Sequence, residues 1–167
     1  MFYRQAMGTV HDSPCFADLP PVAGEVARGV TRLFCRQDLF AICEVPLANA
    51  RRADMMAIDA KGCLTIVEIK VVKADLVGDG KWTDYLDYCD RFFWAVPAEL
   101  ARICEGERFL PQAAGLIVAD RYDAAIVREA ALRPLAPARR RAELLRFARR
   151  AARRLSAQID PTLGLGS

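Results

Sequence analysis

Three residues have the best claim to chemistry: Asp54, Glu68 and Lys70. Residues 65–72 read TIVEIKVV, an apolar and β-branched run interrupted by two charges. Side chains alternate along a strand, so Thr65, Val67, Ile69 and Val71 share one face. Ile66, Glu68, Lys70 and Val72 share the other. Glu68 and Lys70 are thus neighbours, roughly 6.5–7 Å apart along the strand. Asp54 stands fourteen residues before Glu68. If 54–59 and 63–72 pair across a Lys61-Gly62 turn, the two carboxylates converge from adjacent strands. Two such groups repel each other unless a cation lies between them. Mg²⁺ or Mn²⁺ binds through one or two carboxylates and keeps several waters. Lys70 could then reach a water or a phosphate oxygen and offset developing charge. The plainer alternative is a solvated strand face with an ion pair worth ~0–1 kcal/mol.

The elements that must position these residues follow from the hydrophobic pattern. Residues 1–20 show little periodicity and read as an irregular arm. VAGEVARGVTRLFCR (22–36) has a helical period and follows Pro20-Pro21, a usual helix start. LFAICEVPLA (39–48), ADMMAID (53–59) and CLTIVEIKVV (63–72) read as three strands, the last two forming a hairpin. Residues 82–96 begin as a helix, with Trp82, Tyr85, Leu86 and Cys89 on one face, and pass into the strand FFWAV. PAELARICE supplies one or two helical turns. AAGLIVAD (113–120) and AAIVREA (124–130) form a hairpin around Arg121-Tyr122-Asp123. A last helix, 137–159, starts at Pro137, with an apolar stripe of Leu144, Phe147 or Ala148, Ala151 and Leu155. The expected fold is α/β: a mixed sheet with a helix packed from each flank.

Bulk properties narrow the classes. A chain of 167 residues, 53% apolar and 27% charged, is expected to form one globular domain with a real core. No run of eighteen apolar residues suggests a membrane span, and no secretory leader is visible. That points to a cytoplasmic protein. Six cysteines form no CxxC pair and His11 is the only histidine, so a zinc site lacks its ligand spacing and a His-dependent triad lacks its partners. The cysteines read as reduced, buried thiols. Charge is uneven. Residues 137–159 hold eight arginines and one glutamate, net +7, so in a chain of net +3 the remainder carries −4.

Asp54, then Glu68-Ile69-Lys70 on the next strand, in the order helix, three strands, helix, strand over 22–96, resembles the PD-(D/E)xK nuclease superfamily. The resemblance implies a restriction-endonuclease-like core, here with an extra hairpin and a basic C-terminal helix. It implies that Asp54, Glu68 and the Ile69 carbonyl hold Mg²⁺ or Mn²⁺ and that Lys70 serves the attacking water. Many members add a glutamate from the first helix, which by order is Glu25. Many carry Gln-x-x-x-Tyr after the lysine strand; here Asp84 replaces the Gln and Tyr88 retains the Tyr, so Tyr88 is expected to face the site. Ala53 stands where Pro is common. More narrowly, RRADMMAID, TIVEIKVVKADLVGDGKWTDYLDYCDRFFWAVP and LAPARRRAELLRFARRAARR resemble the MmcB-type bacterial DNA-repair family over most of the chain. That implies a DNA-repair role, with DNA and other repair proteins as partners. Three readings stay open: a metal-dependent DNA nuclease, a DNA-structure-binding module of the same fold without turnover, and a small interaction protein whose basic helix docks an acidic partner.

Further residues have a functional and a bland reading each. Arg52 clamps a phosphate or neutralises Asp54. Lys73 and Lys81 lie where a DNA backbone would pass, or are solvated loop lysines. Glu44 points at the pocket or, as the more ordinary case, at solvent. Trp82 and Phe92–Trp94 belong to the core, and Asp90 caps or pairs locally. On the last helix Arg139, Arg140, Arg146 and Arg150 offer a ridge for DNA phosphates, or a solvated face.

Overall fold

The computed structural model describes residues 20–163. Except for Pro20, the arm expected over 1–20 lies outside the described residues. The first helix, α1, runs Pro21–Arg36. Proline at its first turn is preset for helix, and the Gly24 amide donates to the Pro20 carbonyl at 2.9 Å. Ala23, Val26, Ala27, Val30, Leu33 and Phe34 recur at three- and four-residue spacing and are all buried.

Six strands follow: β1 Phe40–Pro46, β2 Arg52–Ile58, β3 Leu64–Ile69, β4 Arg91–Val96, β5 Gly115–Ala119 and β6 Ala124–Arg128. They form one mixed sheet in sequence order. β1, β2 and β3 pair antiparallel, β3, β4 and β5 pair parallel, and β6 returns antiparallel on β5. The β2–β3 hairpin turns at Lys61-Gly62 as expected. Asp59 Oδ1 accepts from the amides of Lys61 and Cys63 at 2.8 Å, and Gly62 takes φ 77°, open to glycine. The β5–β6 hairpin turns at Arg121–Asp123, also as expected.

The sheet has a core on each face. α1 packs on one, against Met55, Ala57, Val67, Ile69, Phe93, Ala95 and Ile117. Its fit to the β5–β6 turn is tight: a Cβ on Gly29 would lie 2.2 Å from the Asp120 carbonyl oxygen. The other face carries the crossovers that parallel pairing requires. These are the short helix α2 (Lys73–Gly78) and 3₁₀ turns over Trp82–Tyr88, Ala98–Glu105 and Glu107–Phe109. The basic helix α3 (Pro137–Ile159) also covers this face, and its bounds match expectation. An aromatic cluster of Trp82, Phe92, Trp94 and Phe109, ring centroids 5.1–5.6 Å apart, fills this second core.

The helix expected from residue 82 is a 3₁₀ helix over 82–88, with Trp82, Tyr85, Leu86 and Cys89 packed in one core. Three residues per turn stack positions i, i+3 and i+6, so Trp82, Tyr85 and Tyr88 all turn inward. One expectation, the stripe of α3, is corrected: the inward line is Arg140, Glu143, Leu144, Phe147 and Ala151, and Leu155 is exposed. The reason is a polar clamp. Both Arg140 Nη atoms reach the buried Asp90 carboxylate, at 2.5 and 2.8 Å, and Nη1 also reaches the Gly62 carbonyl at 2.9 Å. Asp90 further accepts from the amides of Leu64 and Leu135 at 2.8 Å. It pairs fifty residues away rather than locally.

Among the described residues no helix is long and apolar enough to cross a membrane. Of the cysteines described, Cys43, Cys89 and Cys104 are buried and Cys63 partly so, while Cys35 is exposed, and all are free thiols.

Candidate functional site

β3 is buried along its whole length, so a charge on it must be accommodated. Its far end is where β2 peels away. The last paired rung is Met55 with Val67. Beyond it, side chains take over the ladder. The Ile69 amide donates to Asp54 Oδ2 at 2.8 Å, and the Asp54 amide donates to Glu68 Oε1 at 3.3 Å. Asp54 and Glu68 are thereby brought together at the mouth of the hairpin.

The kink is shared by β1. Register sets Cys43 opposite Met55 and Val45 opposite Ala53, so Glu44 faces Asp54 across the strands. Glu44 takes φ 54°, unusual for a residue with a side chain. Alternation breaks on both strands at this rung. Ile42 and Met56 pack against one core and Cys43 and Met55 belong to the other, yet Val45 and Ala53 return to the first core without the expected skip. Glu44 is buried and ion-paired with Arg52, which corrects its reading as solvent-facing.

Lys70 follows on the same face as Glu68. Its Nζ lies 3.7 Å from Glu68 Oε2 and 2.9 Å from Asp79 Oδ2, a residue of the loop after α2. Tyr85 completes the wall: its hydroxyl donates to the Arg52 carbonyl at 3.2 Å and lies within hydrogen-bonding reach of Glu68.

The electrostatics follow from burial. Glu68, 3% exposed, is pushed up to about 8, chiefly by burial and next by the Asp54 charge. Burial also raises Asp54, against the opposing Ile69 amide and Lys70. Burial works against the Lys70 charge, but the bond to Asp79 and the charges of Glu68, Asp79 and Asp54 outweigh it and hold its pKa above the ordinary value. Tyr85 is raised by burial and by the two carboxylates. A buried acid pair sharing one mouth is the arrangement a hard cation relieves, since it replaces the missing solvation of both charges. Carboxylate oxygens do not suit a soft metal. Among the described residues no group of three or more His, Cys, Asp or Glu is disposed to hold a metal. Two carboxylates with the Ile69 carbonyl would form an open seat, of the kind that leaves room for water and phosphate.

Other candidates lie elsewhere. Glu25 reaches toward Arg121 at 3.9 Å, on the α1 side of the sheet, and is not brought to the pair. Asp84 is tied to Arg51 at 2.9 Å. Tyr88 is buried with the Arg139 guanidinium 4.7 Å over its ring; the tyrosine at the carboxylates is Tyr85, three residues earlier, because the 3₁₀ turn aligns both. Arg52 pairs with Glu44 while its charge also lowers Asp54. Lys73 and Lys81 are exposed. Arg140 belongs to the Asp90 clamp, and Arg139 and Arg146 reach Glu143 at 3.7 and 2.9 Å. Arg150 remains half-buried near Glu44, its pKa lowered by burial and then by Arg154 and Arg153. A shallow cleft of about 320 Å³, lined by Leu86, Asp87, Arg133, Leu135 and Arg139, opens beside the Asp90 clamp rather than at the carboxylate pair. Asp79 and Tyr85 join the site although the sequence pattern does not single them out, and Glu44, weighed between pocket and solvent, reaches the site through a strained backbone. A positive φ leaves no mark in sequence, and Asp79 reads as an ordinary Asp-Gly turn.

Comparison with known proteins agrees with the MmcB-type resemblance noted above. No curated protein matches the chain. Among solved structures it is similar to the SPO1766 protein of unknown function from Silicibacter pomeroyi. The two are 42% identical with a TM-score of 0.78, over 87% of this chain and 96% of that one. The model of the MmcB-like DNA repair proteins matches residues 16–162, and the chain belongs to that family.

Proposed function

We propose that this protein is a metal-dependent DNA nuclease acting in repair, built on a restriction-endonuclease-like core. The observation that carries the reading is the crossed pair of bonds, from the Ile69 amide to Asp54 and from the Asp54 amide to Glu68, with two poorly ionising carboxyls beside the Lys70 ammonium. Asp54, Glu68 and the Ile69 carbonyl would hold Mg²⁺ or Mn²⁺, which when bound withdraws charge from a phosphate oxygen. Lys70 orients the water that attacks phosphorus in line with the leaving 3′ oxygen, and offsets charge gathering on the phosphate. Tyr85 positions Glu68, and Asp79 holds Lys70 until substrate arrives. Arg52, Arg150 and Arg154 form the phosphate track leading to the pair. Arg139, Arg140 and Arg146, which serve the fold, contribute less to it.

The test is incubation of the protein with duplex, single-stranded and branched DNA in Mg²⁺, Mn²⁺ or EDTA. Cleavage that requires metal and disappears in Lys70→Ala, with folding and DNA affinity retained, supports the reading. Binding without cleavage in every metal would favour a second one, a DNA-structure-binding module. Its specific support is that Lys70 sits closer to Asp79 than to Glu68, and that Asp84, at the usual Gln position, is spent on Arg51.

A further inference from the structure

α3 is apolar on two sides. Its packed side holds Leu144 and Phe147 together with charge, Arg140 clamped on Asp90 and Glu143, fully buried, held by Arg139 and Arg146. Its outward side carries further large apolar residues. Leu145, Leu155 and Ile159 are 60%, 58% and 76% exposed. With Ala148 and Ala152 they recur every three or four residues along one line, the spacing of a helix–helix seam. The alanines alternate with the large residues, which leaves holes for a partner's side chains and allows close approach of a second helix. Exposed Arg141, Arg149 and Arg153 lie along the margin.

We infer that this outward stripe docks an acidic amphipathic helix of a partner protein. Charge decides between occupants. A second copy would set one helix of eight arginines and a single glutamate against another, and that glutamate is buried in its own helix. A DNA strand would use the arginines and leave the leucines wet. A partner helix with apolar residues toward the seam and glutamates beside it satisfies both sets. This inference stands apart from the nuclease reading, since it uses the face of α3 turned away from Glu44 and the carboxylate pair.

The test uses the full chain and a fluorescein-labelled synthetic peptide of four heptads, with Leu at the seam positions and Glu beside them. A control peptide carries Lys in place of Glu, and a third arm uses phosphatidylglycerol vesicles. The acidic peptide is expected to bind saturably and the Lys peptide not to bind. Leu145→Ser with Leu155→Ser leaves net charge unchanged and is expected to weaken peptide binding at least tenfold, with the melting temperature and DNA affinity unaltered. Ile159→Ser alone is expected to weaken it less. The inference is overturned if the serine variants bind the peptide as well as the parent, because attraction would then be charge alone. It is equally overturned if vesicles bind and the peptide does not, or if sedimentation shows self-association that the serine variants abolish.

Discussion

A buried acid meets each end of β3, and the two are treated in opposite ways. At the start of the strand Asp90, the residue before β4, accepts the Leu64 and Leu135 amides and both arms of the Arg140 guanidinium. At its end Glu68 has one long amide contact at 3.3 Å, a lysine at 3.7 Å that Asp79 holds more closely at 2.9 Å, the Tyr85 hydroxyl that already donates to the Arg52 carbonyl, and the Asp54 charge beside it. Depth of burial is similar, 1% and 3%. The number of donors is what differs. An acid with every lone pair answered is a fastener, and removing a partner leaves an uncompensated charge. An acid left short of donors is held toward its neutral form and is ready for a cation.

That contrast yields effects of opposite sign. The largest is expected from Arg140→Ala, which strands Asp90 and should lower unfolding free energy by about 3–5 kcal/mol in urea melts. A cost below about 1 kcal/mol would mean the clamp is not a fastener. Next is Glu68→Gln. The folded pKa of about 8 lies above the ordinary 4.5, so the stability tied to the proton is whole below pH 4.5 and is lost as pH rises through 8. The variant should therefore be more stable than the parent at pH 9, by roughly 1–3 kcal/mol. The difference should vanish near pH 4. Parent stability that rises between pH 5 and 9, with no contribution from Glu68, would contradict the assignment. Smaller again is the cation effect. At one fixed concentration, a hundred times its dissociation constant at pH 9, Mg²⁺ should add about 2.7 kcal/mol and less at pH 6, with the gain removed by EDTA and absent in Asp54→Asn. The smallest effect belongs to Asp84→Asn. Its pair with Arg51 is exposed, and stability should move by less than about 1 kcal/mol.

Much of this frame could be read in advance. Alternation in TIVEIKVV set Glu68 and Lys70 on one face, and Lys61-Gly62 marked the hairpin that brings Asp54 alongside. Pro137 marked where α3 begins. These signals are local: a period, a turn, a cap. The MmcB-type resemblance, carried by three quoted stretches, extends over 16–162. What stayed hidden depends on distant partners. The Asp90–Arg140 clamp spans fifty residues, and it rotates α3 so that Leu155 faces solvent. Tyr85 and Tyr88 exchange roles because the 3₁₀ period replaces the α period, and both periods suit WTDYLDY. The reversal of faces at Glu44 and Ala53 comes from one left-handed residue, which no side-chain pattern announces.

The crossed bonds at the hairpin mouth make two amide protons, those of Asp54 and Ile69, into built-in gauges. Each is hydrogen-bonded to a carboxyl instead of to a strand carbonyl. Protonating either acid, or drawing it toward a bound ion, changes the strength of a bond that closes the backbone there. The opening and closing of this corner of the sheet is thus wired to whatever those two oxygens hold.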